Sequence, residues 1–506
     1  MNNKIKNIEE LSKILEEEKA KGKKIIHCHG VFDLLHIGHI RYFKQAKQMG
    51  DILIVTITAD EFVDKGPHRP AFTETLRLEA VASLSDIDYV AVNPWPTAEN
   101  TLKLLKPDVY VKGSEFKNTD SDMTGKIQKE EKIVSDIGSK IAFTEDIVFS
   151  STNLINKYIS SLSDELNDYL NIFRKRYSLD DIFNLIEKIA SLKVLVIGDT
   201  IIDEYQYGET IGKSSKDPTL ALKYESRDIF AGGILAIANH VANFVNTVKL
   251  VTIIGDKNSY SQFIDEQLNP KIDPYFIIKK DSPTTLKKRF IDYYAFTKLL
   301  EVYIMDDSYL SENEDIKLCN WLKQEIKKYD LVITADFGHG AISDKVVKLL
   351  CENSKFFALN TQANAGNRGF HTVSRYPSAD FICIAEHEMR LELRDTKSDL
   401  KKLLQKIHKN IKFDKMVVTS GKKGCIVYHK DKEYIQVPSF AQNVIDRVGA
   451  GDAFFSIASL MAAIGENNEF IGFIGNVVGA LAVEVLGNKK PIDKLSVKKY
   501  IMSLMK

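Results

Sequence analysis

Long hydrophobic runs are absent from this 506-residue sequence. No stretch approaches the about 18 consecutive apolar residues that a membrane-crossing helix needs. The opening Met1-Asn2-Asn3-Lys4 leads into a charged amphipathic helix, so neither a membrane span nor a signal peptide is expected. Net charge is absent as well: 69 lysines and arginines balance 69 aspartates and glutamates. A chain without a global basic field lacks the electrostatic footprint for nucleic acid or an anionic membrane, and small anionic substrates in local pockets fit it better. Cysteine is scarce, and the five present (Cys28, Cys319, Cys351, Cys383, Cys425) are odd in number, widely spread and mostly embedded in apolar runs. That pattern argues against a disulfide framework and suits reduced core thiols, so a cytoplasmic protein is expected. No period of about 20–50 residues recurs, which disfavours a solenoid.

What is present is a chain 44% hydrophobic, too long for one ordinary domain and apolar enough for two or three cores. Strand-like runs at Ile25–Cys28, Ile52–Ile57, Tyr89–Val92, Val109–Val111 and Ile141–Phe143 alternate with helix-like stretches. This predicts an α/β domain over residues 1–158 with a doubly wound parallel sheet, its ligands at the carboxyl ends of the strands. Residues 159–191 are charged and helical in pattern and read as a linker carrying the entry helix of the next domain. A second series of alternations starts at Val194-Leu195-Val196-Ile197-Gly198-Asp199 and defines a domain over 192–506.

In the first domain His36-Ile37-Gly38-His39, reached through Gly30-Val31-Phe32-Asp33-Leu34-Leu35, sets two imidazoles where a strand over Lys24–Cys28 hands over to a helix over Ile40–Met49. Free N–H groups and the positive dipole end favour anions there. Gly38 lets a triphosphate approach while both rings donate hydrogen bonds to charge developing on an α-phosphate. A surface histidine pair and a metal half-site are the alternatives, and a metal would want further ligands, with no obvious Cys or His cluster nearby. In the second domain Asp446-Arg447-Val448-Gly449-Ala450-Gly451-Asp452 precedes a small-residue helix, Ala453-Phe454-Phe455-Ser456-Ile457-Ala458. Backbone N–H groups at a helix start beside a carboxylate make an anion hole next to a base, which suits phosphoryl transfer to a hydroxyl.

With Val111-Lys112-Gly113 and Ser150-Ser151-Thr152-Asn153 following Gly30–His39 in order, the first domain resembles the nucleotidyltransferases that include glycerol-3-phosphate cytidylyltransferase and the heptose-1-phosphate adenylyltransferase domain. The resemblance implies that His36 and His39 stabilise the transition state, that Lys44 faces the substrate, and that Gly30, Phe32, Arg77, Lys112 and Gly113 border the nucleotide. Lys65 and Arg69 sit in a Gly/Pro-bearing loop and either close over the phosphates or are solvated loop charges; Ser151 and Thr152 either bind a phosphate or merely cap a helix.

The second domain resembles the ribokinase-like (PfkB) sugar kinases from about Lys193 onward, through Gly198-Asp199 with Asp203, Ala231-Gly232-Gly233, Thr419-Ser420-Gly421-Lys422-Lys423-Gly424 and the Asp446–Asp452 motif. The resemblance implies a ribokinase-like fold with a small β lid drawn from Thr219–Ile229 and Lys287–Met305. It makes Asp452 the base, Gly449, Ala450 and Gly451 the anion hole, and Thr419, Gly421 and Gly424 the nucleotide border. Asp203, Gly232 and Gly233 then contact the sugar, while Lys287 and Arg289 meet a substrate phosphate or lie on a solvated strand edge.

Together the halves resemble the bifunctional heptose-phosphate kinase/nucleotidyltransferases with the domain order reversed. The implied function is phosphorylation of a sugar or sugar phosphate with ATP, and transfer of a nucleotidyl group from ATP or CTP to a sugar 1-phosphate, with Mg²⁺ and a homodimer. The chain departs from its kinase relatives at Ala236 for an asparagine, at Ala385-Glu386-His387-Glu388 for Asn-x-x-Glu, and at Asn360-Thr361-Gln362 for Asp-Pro-Lys. These changes leave Glu388 as a metal ligand and make Asn360 a substrate-loop candidate, the polar stretch 360–368 being otherwise a surface loop. Asp336 is a candidate for Mg²⁺ or anion-hole support, its rival role being to cap the turn Gly338-His339-Gly340.

Overall fold

A computed structural model describes residues 4–63, 70–113, 126–144, 163–294, 296–429 and 432–505. The chain divides into two compact units, Met1–Ser161 with Lys498–Lys506, and Leu162–Val497.

Five strands build the sheet of the first unit: β1 (Ile25–Gly30), β2 (Ile52–Thr58), β3 (Tyr89–Asn93), β4 (Val109–Lys112) and β5 (Lys140–Phe143), in the order β3-β2-β1-β4-β5. Every pairing is parallel. All seven residues of β2 are buried, as a strand covered on both faces requires, and its continuous apolar run reflects that. Strand order reverses beside β1, so the switch point of the sheet lies at the β1 end that feeds the His36–His39 segment.

The second unit uses twelve strands: β6 (Lys193–Lys213), β7 (Leu220–Gly233), β8 (Thr247–Lys257), β9 (Ile272–Pro283), β10 (Leu286–Asp292), β11 (Thr297–Ile304), β12 (Leu331–Asp336), β13 (Phe357–Thr361), β14 (Ser378–Ala385), β15 (Lys412–Thr419), β16 (Cys425–His429) and β17 (Lys432–Val437). The 21-residue β6 joins two layers. Its first part, Lys193–Asp199, runs between β8 and β12 in the main sheet, which continues through β13, β14 and β15 in parallel and ends in the antiparallel β16 and β17. Its second part pairs with β7 and β10, and with β11 these form the lid. The lid therefore includes the run from Ile202 onward as well as the two segments expected to build it.

The stretch expected as a linker is part of the second unit's core. Helix Asp164–Arg176 buries Leu166, Leu170 and Phe173. Phe173 stacks on Phe473 at 4.1 Å, and Tyr177 donates to Glu469 at 3.0 Å. An amphipathic stripe reads the same whether its apolar face meets a neighbour or a solvent-bridging partner, so periodicity alone does not assign it. All five cysteines are free, and no described helix is long and apolar enough to cross a membrane.

Candidate active sites

In the first unit β1 delivers the chain to a tight loop. Phe32 takes a positive φ of 49°, and its ring folds back over Gly30, where a Cβ would meet Phe32 Cζ at 2.9 Å. Glycine is required at 30 for that reason. The Phe32 ring packs edge-on against His39 (5.4 Å) and tilted against Phe43 (5.0 Å), and it is buried. His36 is the N-cap of helix Ile37–Lys47, its Nδ1 accepting from the Gly38 N–H at 3.1 Å. That bond places the proton of a neutral ring on Nε2, the tautomer able to donate to an anion. Burial lowers the His36 pKa, which favours the neutral ring. The His36 and His39 rings stack at 3.9 Å with 22° between planes, so the two imidazoles act as one unit. Lys44 is exposed on the same helix, and Gly113 follows β4 directly.

Two residues expected at the nucleotide have other work. Arg77 is 1% exposed and donates to the carbonyls of Val31 (2.6 Å), Thr58 (2.8 Å) and Phe72 (3.0 Å) and to Asp60 Oδ1 (2.6 Å). Four of its five N–H donors are engaged, and they tie the loop after β1 to the end of β2 and the segment that follows it. Lys112 is buried, pairs with Glu130 at 2.7 Å and lies 5.0 Å from the Tyr110 ring. Its ammonium is held by the carboxylate that burial demands. Lys65, Arg69, Ser151 and Thr152 lie outside the described residues. Sequence reasoning passes over His27 and His29, which share Thr56 Oγ1 at 2.8 and 2.9 Å. Burial holds the His27 pKa down to about 3, so its ring is a neutral bridge between β1 and β2.

In the second unit Gly449 caps helix Ala450–Ala463 with φ 81°, and a Cβ there would meet Asn488 Oδ1 at 2.2 Å. A Cβ on Gly451 would meet nothing within 4 Å, so open space lies above the first turn. Asp452, in that turn, is buried, and Gln362 Nε2 donates to its Oδ1 at 2.9 Å. Burial and then the charge of Asp203 push its pKa up to about 7, with Lys287 opposing. A carboxyl poised there can accept a proton near neutral pH.

The lid's inner face supplies the opposite wall. Lys287 pairs in register with Asp203, and Arg289 with Tyr205. Arg289 is ion-paired to Asp203 and, at 2.9 Å, to Glu301. Gly232 lies beneath Asp203, where a Cβ would meet Oδ2 at 2.1 Å, and Gly233 turns the chain at φ 54° into helix Ile234–Ala242. The structure thus brings Asp203, Gly232, Gly233, Lys287, Arg289 and Asp452 together. Asp446, six residues before Asp452 in the same motif, has a role the motif alone does not signal: it accepts from Tyr205 (2.7 Å), Lys298 (2.7 Å) and the N–H of Gly487 (3.1 Å), tying lid to loop. Thr419 ends β15, and the turn after it needs glycine at 424, where a Cβ would meet Val437 O at 2.0 Å. Gly421 has φ 56° and open space around it.

Three further candidates resolve differently. Asn360 is buried at the end of β13 and donates to Cys383 O at 2.7 Å, so it braces β14 and is not a surface-loop residue. Glu388 accepts from the N–H groups of Ala385 (2.7 Å) and Ala363 (3.0 Å), one on each oxygen. Asp336 accepts from His371 Nε2 (2.7 Å), Arg375 (2.9 Å), Tyr376 (2.6 Å) and the Gly338 N–H (3.2 Å). Four donors fill its lone pairs, which corrects its assignment as a metal ligand and makes it a clasp for segment 371–376. Among the described residues no three of His, Cys, Asp and Glu cluster as a metal site. Magnesium bound through one carboxylate, substrate phosphates and water needs no such cluster, and Glu388, with one backbone N–H on each oxygen, fits the part of that carboxylate.

Residues 191–495 match the model of the pfkB family carbohydrate kinases, and residues 27–161 match the cytidylyltransferase-like model. Among curated relatives, the bifunctional protein HldE of Geobacter metallireducens is 38% identical over 168 residues, 32% of this chain and 32% of the relative. HldE of Trichlorobacter lovleyi is likewise 38% identical over 168 residues, with the same shares. The aligned part spans about a third of the length of these relatives. Phosphofructokinase-2 of Escherichia coli, solved with potassium, aligns over 63% of this chain and 100% of its own with a TM-score of 0.51 and 15% identity, a likeness of fold alone.

Proposed function

The chain belongs to the pfkB family of carbohydrate kinases, and from that premise we propose that it is a bifunctional enzyme of nucleotide-activated sugar synthesis. The second unit phosphorylates a sugar or sugar phosphate with ATP, and the first transfers a nucleotidyl group from ATP or CTP to a sugar 1-phosphate, releasing pyrophosphate. The observation that carries the kinase half is Asp452: a buried carboxylate at a helix start, tied by Gln362, facing Asp203, with open space above Gly451. Asp452 takes the proton of the attacking hydroxyl, and N–H groups of the Gly449–Gly451 turn hold the transferring phosphoryl group. Asp203, backed by Arg289, orients the sugar; Lys287 meets a phosphate on it. Glu388 would hold Mg²⁺ when the ion is bound, and the ion would supply charge neutralisation to the transferring group.

In the first unit the stacked pair His36 and His39 at a helix N-terminus supports attack on an α-phosphate without a covalent intermediate. Exposed Leu300, Val302 and Ile304 on the lid's outer strand support a homodimer through that face, and a monomeric mass from light scattering at micromolar concentration sinks it. Free thiols and the need for ATP support a cytoplasmic site of action.

The test is pyrophosphate release with ATP and with CTP against sugar 1-phosphates and polyol phosphates, run beside ADP release with free sugars and sugar phosphates. Both activities, with the kinase product serving as transferase substrate, are expected. Pyrophosphate release with no ADP release supports a second reading, a kinase-like unit that binds sugar or dimerises without phosphorylating, which the partial engagement of Glu388 by backbone favours.

A further inference from the structure

The loop after β13 does more than connect. Asn364 Nδ2 and Asn367 Nδ2 both donate to Phe337 O, at 2.7 and 3.1 Å, and Asn367 Nδ2 also donates to Gln362 O at 2.7 Å. Asn364 Oδ1 accepts from the N–H groups of Gly366 and Asn367, and Asn367 Oδ1 from those of Asn364 and Gly369. The Gln362 N–H donates to Asp336 O at 3.1 Å, and the next residue's N–H is held by Glu388. Phe337 itself is pinned by Asp199, which accepts its N–H at 2.9 Å. The backbone of residue 362 is therefore fixed by amides and carboxylates on both sides, and its side chain is directed toward Asp452.

We propose, on the reading of the second unit as a kinase, that Gln362 is a positioning residue for the base. Its Nε2 ties Asp452 Oδ1 and leaves Oδ2 to receive the hydroxyl proton, with the amide-rich loop 360–369 as the scaffold. As the substrate oxygen bonds to the γ-phosphorus, the bond to the β-phosphate oxygen breaks, ADP leaves, and the proton resides on Oδ2. A neutral donor suits this role. It fixes the carboxyl rotamer by a hydrogen bond and adds no charge of its own.

Three variants, Gln362→Ala, Gln362→Lys and Gln362→Glu, test this in the full chain. For each, kcat and KM for ADP release are measured across pH, and the Asp452 carboxyl is titrated by NMR with ¹³C-labelled aspartate, assigned through Asp452→Asn. Gln362→Ala is expected to lower kcat about tenfold to a hundredfold with KM within about twofold. Gln362→Lys moves both the acid limb of kcat and the carboxyl titration down by about a unit or more, and Gln362→Glu moves both up. Wild-type ADP release indifferent to residue 362, with an unmoved titration, overturns the proposal and leaves the kinase reading standing. A titration that moves as expected in a protein that releases no ADP from any sugar overturns the kinase reading, and the catalytic role with it. Should Gln362→Ala fail to fold, the two charged variants of similar size give the same decision.

Discussion

The two phosphate sites of this chain treat protons in opposite ways. In the first unit the candidate donor His36 accepts a backbone N–H through Nδ1, burial lowers its pKa, and it stacks on His39. In the second, burial and the neighbouring charge of Asp203 push the Asp452 pKa up to about 7. A sugar phosphate attacking a nucleotide arrives ionised, so donors suffice; a sugar hydroxyl must lose a proton, so a poised base is needed. The cations differ as well. Arg77 in the first unit is held mostly by backbone carbonyls, whereas Arg289 in the second is held by the carboxylates of Asp203 and Glu301.

That contrast breaks most sharply at Asp452. Asp452→Asn is expected to lower ADP release about 10³–10⁴-fold and leave pyrophosphate release within about twofold, measured on the same preparation. The same change raises Tm at pH 8 more than at pH 5. A carboxyl whose folded pKa lies above its unfolded value destabilises the fold as pH rises through that window, and asparagine removes the charge while still accepting from Gln362. Arg77→Met comes next, with a cost of about 3 kcal/mol to the first unit alone, because three carbonyls and Asp60 lose their donor; chemical unfolding resolves it, and an unchanged kinase is expected. His36→Ala lowers pyrophosphate release about 10²-fold and costs the helix about 1 kcal/mol as a cap, again with ADP release unaffected.

A gentler probe is pH. ADP release falls about tenfold per unit below about pH 7 as Asp452 takes up its proton, while pyrophosphate release shows no limb from that group; coincident profiles would erase the distinction. Tyr205→Phe is the smallest change: it removes one hydrogen bond between lid and Asp446, costs about 1 kcal/mol, and raises KM for the sugar more than it lowers kcat.

Much of this architecture is legible in the amino-acid sequence. Each apolar run of the first domain is a strand of its sheet, and β2 and β4, buried at every residue, are written as continuous, largely apolar stretches for that reason. The glycine motifs are readable too, since Gly232 and Gly449 sit where backbone and carboxylate or amide leave no room for a Cβ. Charged and polar side chains are the poor guide. Arg77, Lys112 and Asp336 look like ligand-binding residues in one dimension, and Asn360 like a loop amide, yet each has its partners across the fold at separations the motif does not contain. Gln362 carries no signal of its own in the sequence although it touches the base, because ninety residues separate them.

Composition, period and glycine placement by themselves determined two α/β units and their glycine turns, since these are local consequences of burial and backbone sterics. Tertiary structure alone decided which cations pair with a carboxylate and which answer a carbonyl, and which amide holds Asp452. A hydrogen bond or ion pair depends on where two side chains meet, and only the folded chain brings them within about 3 Å.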